Sequence, residues 1–261
     1  MAMTVPEIRK KLREADEKEL AALERSLAAD TRKGVAAALQ VARRRVDAEK
    51  AERERLAALY AYERSLLGEG QGVIVGLDEV GRGPVAGPLA VGAVVLPDEP
   101  IIQGLNDSKQ LSPEQREAIA TEITSSAIAW AVELVEPSFI DANGMSAALK
   151  KGFSGALAQI EDAGVHADLV LVDGNPLHMD PREKNVVKGD AKCASIAAAS
   201  IVAKVIRDAL MCDLGRMYLG YDFEGNKGYG SPQHIEAIKK LGLSPVHRRS
   251  FCRSFMQESL F

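Results

Sequence analysis

Cysteine is scarce in this chain of 261 residues, and the three that occur, Cys193, Cys212 and Cys252, lie far apart. An odd number of widely spaced cysteines without a C-x-x-C pair argues against a disulfide framework and against a structural zinc site. No run of about 18 apolar residues occurs, so we expect no membrane-spanning segment. The stretch Met1 to Arg13 is charged and lacks the apolar segment of a secretory signal. We therefore expect a cytoplasmic protein.

A net positive charge is also missing, because the formal charge of the chain is −4. The charge is unevenly spread. Residues 1–66 carry 15 Lys and Arg against 12 Asp and Glu, residues 227–261 carry 6 against 2, and residues 67–226 carry 12 against 23. An acidic centre between mildly basic ends would suit a metal site flanked by a surface that binds a nucleic-acid backbone. Uneven surface charge without a function is the alternative that the sequence leaves open.

The first quarter of the chain, from residue 4 to about 66, predicts helices only. Apolar residues recur there at helical spacing in three stripes, and β-branched and aromatic clusters are nearly absent. The stripes are Val5, Ile8 and Leu12; Leu20, Leu23 and Leu27; and Val35, Leu39, Ala42 and Val46. A glycine-rich stretch at 68–72 separates them from strand patterns. We place a domain boundary near Leu67, with a helical extension at 1–67 as a candidate substrate-binding element and a larger domain at 68–261.

The larger domain predicts alternating strands and helices. The expected strands are 73–79, 88–96, 127–135 and 169–172, and the expected long helices are 145–163 and 192–213. A helix opens at Ser112, a plausible N-cap followed by Pro113, and a last helix begins near Ser231 and Pro232. Two neighbouring strands followed by strand–helix alternation indicate an α/β fold with a mixed sheet flanked by helices.

Two carboxylates, Asp78 and Glu79, stand side by side at the end of the first apolar strand. At about 5 Å and an effective dielectric near 20 they repel by roughly 3 kcal/mol, a cost that a bound divalent cation converts into a gain. Neighbours on a strand point to opposite faces, so the pair can share a site only if the strand bends or ends there. Asp173 likewise ends an apolar strand, and ligand sites collect at such strand ends in α/β sheets. A simple Asp-Gly turn is the alternative for Asp173.

Two further stretches carry polar chemistry. Asp190 precedes a helix whose small residues would let it lie close to the sheet and bring Asp190 near the other acids, although Asp190 could instead be only the N-cap of that helix. On the same helix, Ser200, Lys204 and Asp208 share one face, and a surface salt bridge is the default for the last two. Tyr229 lies between two glycines, where an exposed ring could stack on a sugar or a base.

Together these elements resemble ribonuclease HII, the type 2 ribonuclease H family. The matching stretches are GLDEVGRGPVAGP (76–88), NDSKQLS (106–112), LVDG (171–174), KGDAKCASIAAASIVAKVIRD (188–208) and NKGYGSPQH (226–234). The resemblance implies a ribonuclease H-like sheet and four catalytic acids that hold two Mg²⁺ or Mn²⁺ ions. By motif these acids are Asp78, Glu79, Asp173 and Asp190.

The resemblance also implies substrate contacts. Gly81, Arg82 and Gly83 match the tripeptide that senses the ribose, and the sister family ribonuclease HIII has a different residue where Arg82 stands. Tyr229 matches the tyrosine that stacks beside the ribonucleotide–deoxyribonucleotide junction, and Asp208 matches an acid that helps to position it. The matched motifs add Lys109 and Lys188 as substrate-binding residues and Ser200 as a supporting one.

The implied activity is hydrolysis of the RNA strand of RNA–DNA hybrids and incision 5′ of single ribonucleotides in duplex DNA. The expected products are a 3′-hydroxyl and a 5′-phosphate, and the expected enzyme is a monomer without membrane contact. Two other classes compete. A dinucleotide-binding domain is suggested by Gly81, Gly83 and Gly87 after a strand, but the spacing is not G-x-G-x-x-G and Pro84 and Pro88 crowd the expected helix start. A non-catalytic nucleic-acid-binding module is the other, which the acids would hinder without metals.

The end of the sequence carries one more motif. Gln257 to Phe261 resembles the short segment by which bacterial repair proteins dock on the replication sliding clamp, with Glu258 in place of the usual leucine. Such a segment inserts its Leu-Phe end into an apolar pocket, where a few residues supply most of the affinity. Packing of Leu260 and Phe261 on the larger domain is the alternative.

Overall fold

The structure is a computed structural model that describes residues 3–68 and 72–256. The chain divides into two compact units, residues 1–57 and residues 58–261, so the division falls inside the third helix. The clamp-like segment Gln257 to Phe261 lies outside the described residues. Within the described ranges, no helix combines the length and the apolar character that crossing a membrane requires.

The N-terminal unit is helical, as the sequence predicted. It contains α1 (Val5–Glu14), α2 (Glu17–Ser26) and the first part of α3 (Lys33–Leu67). Asp16 caps α2 by accepting a hydrogen bond from the backbone N–H of Glu19 at 2.8 Å, while the Glu19 side chain returns to the Asp16 N–H. The three predicted apolar stripes all contribute to one core cluster between these helices, which confirms the periodicity argument.

A five-stranded mixed sheet forms the centre of the larger unit. Its strands are β1 (Ile74–Val80), β2 (Leu89–Val95), β3 (Ala129–Val135), β4 (Leu169–Asp173) and β5 (Glu183–Val186), in the order β3-β2-β1-β4-β5. β1 pairs antiparallel with β2 and parallel with β4, and β4 pairs parallel with β5. The predicted mixed sheet is therefore confirmed. β5 was not predicted, because three of its four residues are polar and carry no periodic signal.

The larger unit also contains α4 (Pro113–Ser126), α5 (Pro137–Asp162), α6 (Ala194–Met217), α7 (Phe223–Asn226), α8 (Pro232–Leu241) and α9 (Arg249–Met256). Of these, α5 and α6 pack on the sheet, and α4 and α7 pack on α6. Side chains such as Val75 and Leu77 of β1 pack on Phe153 of α5 in the main core cluster. Because alternate residues of a strand face opposite sides, Gly76 meets α6 on the other face.

Three sequence expectations about helices have clear outcomes. The predicted N-cap of α4 is confirmed, since Ser112 Oγ accepts from the N–H of Gln115 at 3.2 Å. The predicted helix 145–163 is the second half of α5, which begins at Pro137 and kinks at Gly144, where φ is +79°. The predicted helix start near Ser231 is confirmed, since Ser231 caps α8, but this helix is not the last one, because α9 follows it. The sequence did not predict α9. Its eight residues are too few for a periodic pattern to show in the sequence.

Candidate active site at the ends of the central strands

The acids of the sequence motifs converge on one edge of the sheet. β1 and β4 are parallel neighbours, with Leu77 opposite Val172, so their carboxyl ends lie side by side. Asp78 and Glu79 therefore come close to Asp173, which ends β4. The expectation that two strands deliver acids to a common edge is met in the larger unit.

The small residues of α6 bring the fourth acid to this edge. A Cβ atom on Gly76 would lie 2.3 Å from the backbone carbon of Ser195, and one on Gly92 would lie 2.3 Å from the backbone oxygen of Ala199. Such distances exclude any side chain at the two glycines, so α6 rests directly on the backbones of β1 and β2. The close packing predicted from the alanine-rich stretch is confirmed.

Asp190 lies in a 3₁₀ turn, Gly189–Ala191, just before α6. The alternative that Asp190 is only the N-cap of α6 is wrong, because Cys193 occupies the N-cap position. The turn is tied to β4 by a hydrogen bond of 2.6 Å from the Gly189 N–H to Asp173 Oδ1. A Cβ on Gly189 would lie 2.6 Å from Ile196, so glycine is required for this approach.

A cavity of about 360 Å³ joins these groups. It is lined by the four acids, the tripeptide and several polar side chains, namely Asp78, Glu79, Val80, Gly81, Arg82, Gly83, Ser108, Lys109, Asp173, Asp190, Ser200, Lys204 and Tyr229. Asp78 and Glu79 both reach it because they lie at the end of β1, just before Gly81 turns the chain with φ at +96°. Both residues line the cavity although they still pair with Gly92 and Val91 of β2.

Burial raises the pKa of three cavity carboxylates, those of Asp78, Glu79 and Asp190. Asp78 is only 7% exposed, and burial together with the charges of Glu79 and Asp173 raises its pKa to about 8 against a hydrogen bond from Ser200. Burial also raises the pKa of Glu79, opposed by Arg82. The pKa of Asp190 is raised by burial and by the charges of Asp107 and Asp173. Such a set of like charges favours a bound cation.

The donor set fits a hard divalent cation, which prefers carboxylate and other oxygen ligands. Across residues 3–68 and 72–256, however, no three His, Cys, Asp or Glu side chains are gathered closely enough to hold an ion. Glu79 pairs with Arg82 at 3.1 Å, and a cation would have to draw the carboxylates together.

The structure places all but one of the substrate-binding candidates at the cavity. Arg82 is 61% exposed, Tyr229 is 49% exposed, and the Cε1 atom of Tyr229 lies 3.7 Å from where a Cβ on Gly83 would be. These residues and Lys109 line the cavity. Lys188 is exposed on the turn before Asp190 and is not among the lining residues, so its substrate contact stays a prediction.

The supporting residues lie on α6. Ser200 hydrogen-bonds Asp78 and also Ser108, whose hydroxyl lies 3.0 Å away, so it links the first acid to the loop before α4. Asp208 forms the expected ion pair with Lys204, at 2.8 Å. The proposed role of Asp208 in positioning Tyr229 stays a prediction.

Sequence reasoning missed a set of buried polar residues behind the cavity, namely Glu63, Arg207, His234, His247 and Arg248. Glu63 of α3 accepts hydrogen bonds from the backbone N–H and the hydroxyl of Ser195, at 2.9 and 2.8 Å, and so caps the start of α6. The pairing of Glu63 with a residue more than a hundred positions away leaves no signal in one sequence.

The two buried histidines form an ordered chain of hydrogen bonds. The backbone N–H of Ser244 donates to His247 Nδ1 at 2.9 Å, so the proton of neutral His247 must lie on Nε2. His247 Nε2 then donates to His234 Nε2 at 3.1 Å, and His234 Nδ1 donates to the carbonyl of Tyr229 at 2.7 Å. The chain thus fixes the backbone of Tyr229, and it requires both imidazoles to be neutral.

A mixed sheet with carboxylates at the ends of its central strands, packed against a small-residue helix, has the architecture of the ribonuclease H-like fold. Comparison with known proteins identifies the family within this fold class. The Ribonuclease HII family matches residues 75–254, and the Ribonuclease HII N-terminal domain matches residues 4–67. The chain belongs to the ribonuclease HII family, and it is an endonuclease hydrolase of the ribonuclease H type. The dinucleotide-binding and non-catalytic alternatives are therefore excluded.

Relatives support this assignment along most of the chain. The ribonuclease HII of Ruminiclostridium cellulolyticum is 44% identical over 207 residues, which are 79% of this chain and 80% of that protein. The crystal structure of ribonuclease H2 from Pyrococcus horikoshii OT3 superposes with a TM-score of 0.60 at 29% identity, covering 71% of this chain and 98% of that one. A ribonuclease HII from Archaeoglobus fulgidus, solved in complex with PCNA, gives a TM-score of 0.58 at 27% identity over 67% of this chain and 93% of that one.

Proposed function

We propose that this enzyme hydrolyses the RNA strand of RNA–DNA hybrids and incises duplex DNA on the 5′ side of a single embedded ribonucleotide. The observation that carries the proposal is the cavity in which four carboxylates, the Gly81–Gly83 tripeptide and the ring of Tyr229 meet. Contacts with phosphates cannot distinguish RNA from DNA, whereas a contact with the 2′-hydroxyl can. The glycine at 83 leaves the backbone accessible to a sugar, and the exposed ring of Tyr229 can stack beside it.

Asp78, Glu79, Asp173 and Asp190 would hold two divalent cations, Mg²⁺ or Mn²⁺. When bound, such ions activate the attacking water and stabilise the leaving 3′ oxygen, so that the products carry a 3′-hydroxyl and a 5′-phosphate. The chain itself orients the ligands: Ser200 holds Asp78, and the Gly189 N–H holds Asp173. The burial that raises the pKa of Asp78 also strengthens the electrostatic interactions of that carboxylate.

The test is Mg²⁺-dependent cleavage of a DNA duplex that contains one ribonucleotide, with the all-DNA duplex as substrate control. Asp78→Asn and Asp173→Asn should each abolish cleavage while leaving the fold and the substrate affinity largely intact, because removal of one carboxylate lessens the local repulsion. Asp162→Asn, at the exposed end of α5, is the matched control and should cleave normally. Near-normal activity of either site variant would show that its acid has been wrongly assigned.

We also propose that Gln257 to Phe261 docks on the replication sliding clamp. The proposal is supported by the Leu-Phe end of the segment and by the related ribonuclease HII that was solved with PCNA. Titration of a labelled peptide of residues 251–261 with the clamp should give saturable binding, and the peptide with Leu260→Ala and Phe261→Ala should lose it. Equal binding of the two peptides, or none, contradicts this docking.

A further inference from the structure

Two arginines lie completely buried behind the active-site cavity. Arg207 of α6 and Arg248, just before α9, are each 0% exposed, and neither forms a salt bridge with a carboxylate of the described residues. Burial lowers the pKa of both, that of Arg248 to about 9 with a further contribution from the charge of Arg207. Buried charges without a counter-ion are costly unless their hydrogen bonds are satisfied, so their presence needs an explanation.

The hydrogen bonds of Arg248 go to the backbone of the ribose-sensing segment. Nη2 donates to the carbonyl of Gly81 at 2.7 Å, Nη1 donates to the carbonyl of Arg82 at 3.1 Å, and Nε donates to the carbonyl of Gly87 at 3.0 Å. One planar guanidinium group thereby fixes two consecutive peptide planes, those that follow Gly81 and Arg82. A point-like lysine ammonium cannot reproduce this fork.

Arg207 links the stretch that follows the tripeptide to the loop that carries Tyr229. Its Nε donates to the carbonyl of Pro88 at 2.9 Å, Nη2 to that of Ala86 at 3.3 Å, and Nη1 to that of Lys227 at 3.0 Å. A Cβ on Gly81 would lie 2.4 Å from Arg207 Nε, so the glycine also makes room for this arginine. The two buried arginines therefore connect the backbone of the tripeptide and the stretch after it to the backbone of Lys227, two residues before Tyr229.

The orientation of the peptide planes decides where the amide protons point. In a trans peptide the C=O and the following N–H point in opposite directions. Since Arg248 binds the carbonyls of Gly81 and Arg82, the N–H groups of Arg82 and Gly83 point away from the guanidinium. Neither N–H group has a hydrogen-bond partner among the described residues, and both residues line the cavity.

We propose that Arg248 is a positioning residue for ribose recognition, which orients the N–H groups of Arg82 and Gly83 as paired donors for the 2′-hydroxyl oxygen of the ribonucleotide. This inference rests on the proposed function, because it assigns the geometry by which the same site senses the ribose. Arg248 itself does not touch the substrate. Its effect is transmitted through the two peptide planes.

The experiment compares the affinities of the full chain for two duplexes in the absence of divalent cations, one with a single ribonucleotide and one of DNA only. In Arg248→Lys the preference for the ribonucleotide should fall about tenfold, the equivalent of one or two misplaced hydrogen bonds. Binding of the all-DNA duplex should change less than about twofold, since the phosphate contacts remain. Arg249→Lys, the exposed neighbour, is the matched control and should keep the full preference.

A second measurement covers the case in which Arg248→Lys does not fold. In the wild-type protein, the amide signals of Arg82 and Gly83 in NMR spectra should shift with the ribonucleotide duplex and not with the all-DNA duplex. Equal shifts with both duplexes, or an unchanged preference in a folded Arg248→Lys, overturn the inference and leave the proposed function standing. A wild-type enzyme that cleaves neither duplex with Mg²⁺ would instead refute the proposed function.

Discussion

Acidification should remove the contribution that the buried pair His234 and His247 makes to the stability of the larger unit. Each imidazole is almost fully buried, and the chain of hydrogen bonds from Ser244 to Tyr229 requires both to be neutral. Burial, together with the repulsion that would arise if both imidazoles were protonated, lowers the pKa of His247 from 6.5 to about 4. Protonation of His247 would place a donor against the Ser244 N–H and break the chain at its first bond.

The sign and the size of the effect follow from proton linkage. The unfolded chain binds the proton first as the pH falls, so the contribution of His247 to stability is complete above its unfolded pKa of 6.5 and is lost progressively between 6.5 and about 4. With these two pKa values, lowering the pH from about 7.5 to about 5 removes roughly 2 kcal/mol of unfolding free energy. Asp78 acts in the opposite direction, because its pKa is raised on folding. A bare pH profile therefore cannot isolate the histidine.

Urea unfolding of the full chain between about pH 7.5 and 5 separates the two contributions when the wild type is compared with His247→Asn. The amide oxygen of this variant can still accept from Ser244, but the side chain does not titrate. We expect lower stability than the wild type at neutral pH and a pH dependence that is shallower by roughly 2 kcal/mol over this range. His166→Asn, at an exposed site, is the control and should follow the wild type. Parallel pH profiles for wild type and His247→Asn would refute the reasoning.

Three further predictions concern Tyr229 and the N-terminal helices. Tyr229→Ala should reduce cleavage at a single ribonucleotide more than Tyr229→Phe, because stacking is worth about 1–3 kcal/mol, whereas equal defects in a cleavage assay would point to the hydroxyl. Removal of residues 1–57 should leave the larger unit folded but weaken its binding to DNA at low salt and make that binding less dependent on salt, as expected if this +3 segment contacts the backbone. Removal of residues 1–66 should also lower the midpoint of thermal unfolding, because it deletes Glu63 from the start of α6, and equal midpoints for the two truncations would argue against that capping role.

The sequence predicted the acidic edge because each strand that supplies an acid is an apolar run that stops at a carboxylate. It also predicted the approach of α6, since a run of alanines has no side chains to hold a helix away from a sheet. Neither β5 nor α9 was predicted, because a short element held by its neighbours shows no periodic pattern of its own. The role of Asp190 was ambiguous because a residue before a helix is consistent with a cap as well as with a ligand.

The set of buried polar residues behind the cavity was the least predictable part of the site. The physical reason for its presence lies in the composition of the segments that it holds. A segment such as Gly81–Gly83 has almost no side chain through which apolar packing could fix it. Its peptide planes can be held only through their own hydrogen-bonding groups, and a guanidinium fork offers several donors in one rigid plane. The peptide planes whose carbonyls bind Arg248 are thus also those whose N–H groups we propose to contact the ribose. Burying the charge of Arg248 costs free energy, but its hydrogen bonds fix the backbone of Gly81–Gly83. In the proposed recognition, a flexible backbone there would reduce the discrimination between ribose and deoxyribose.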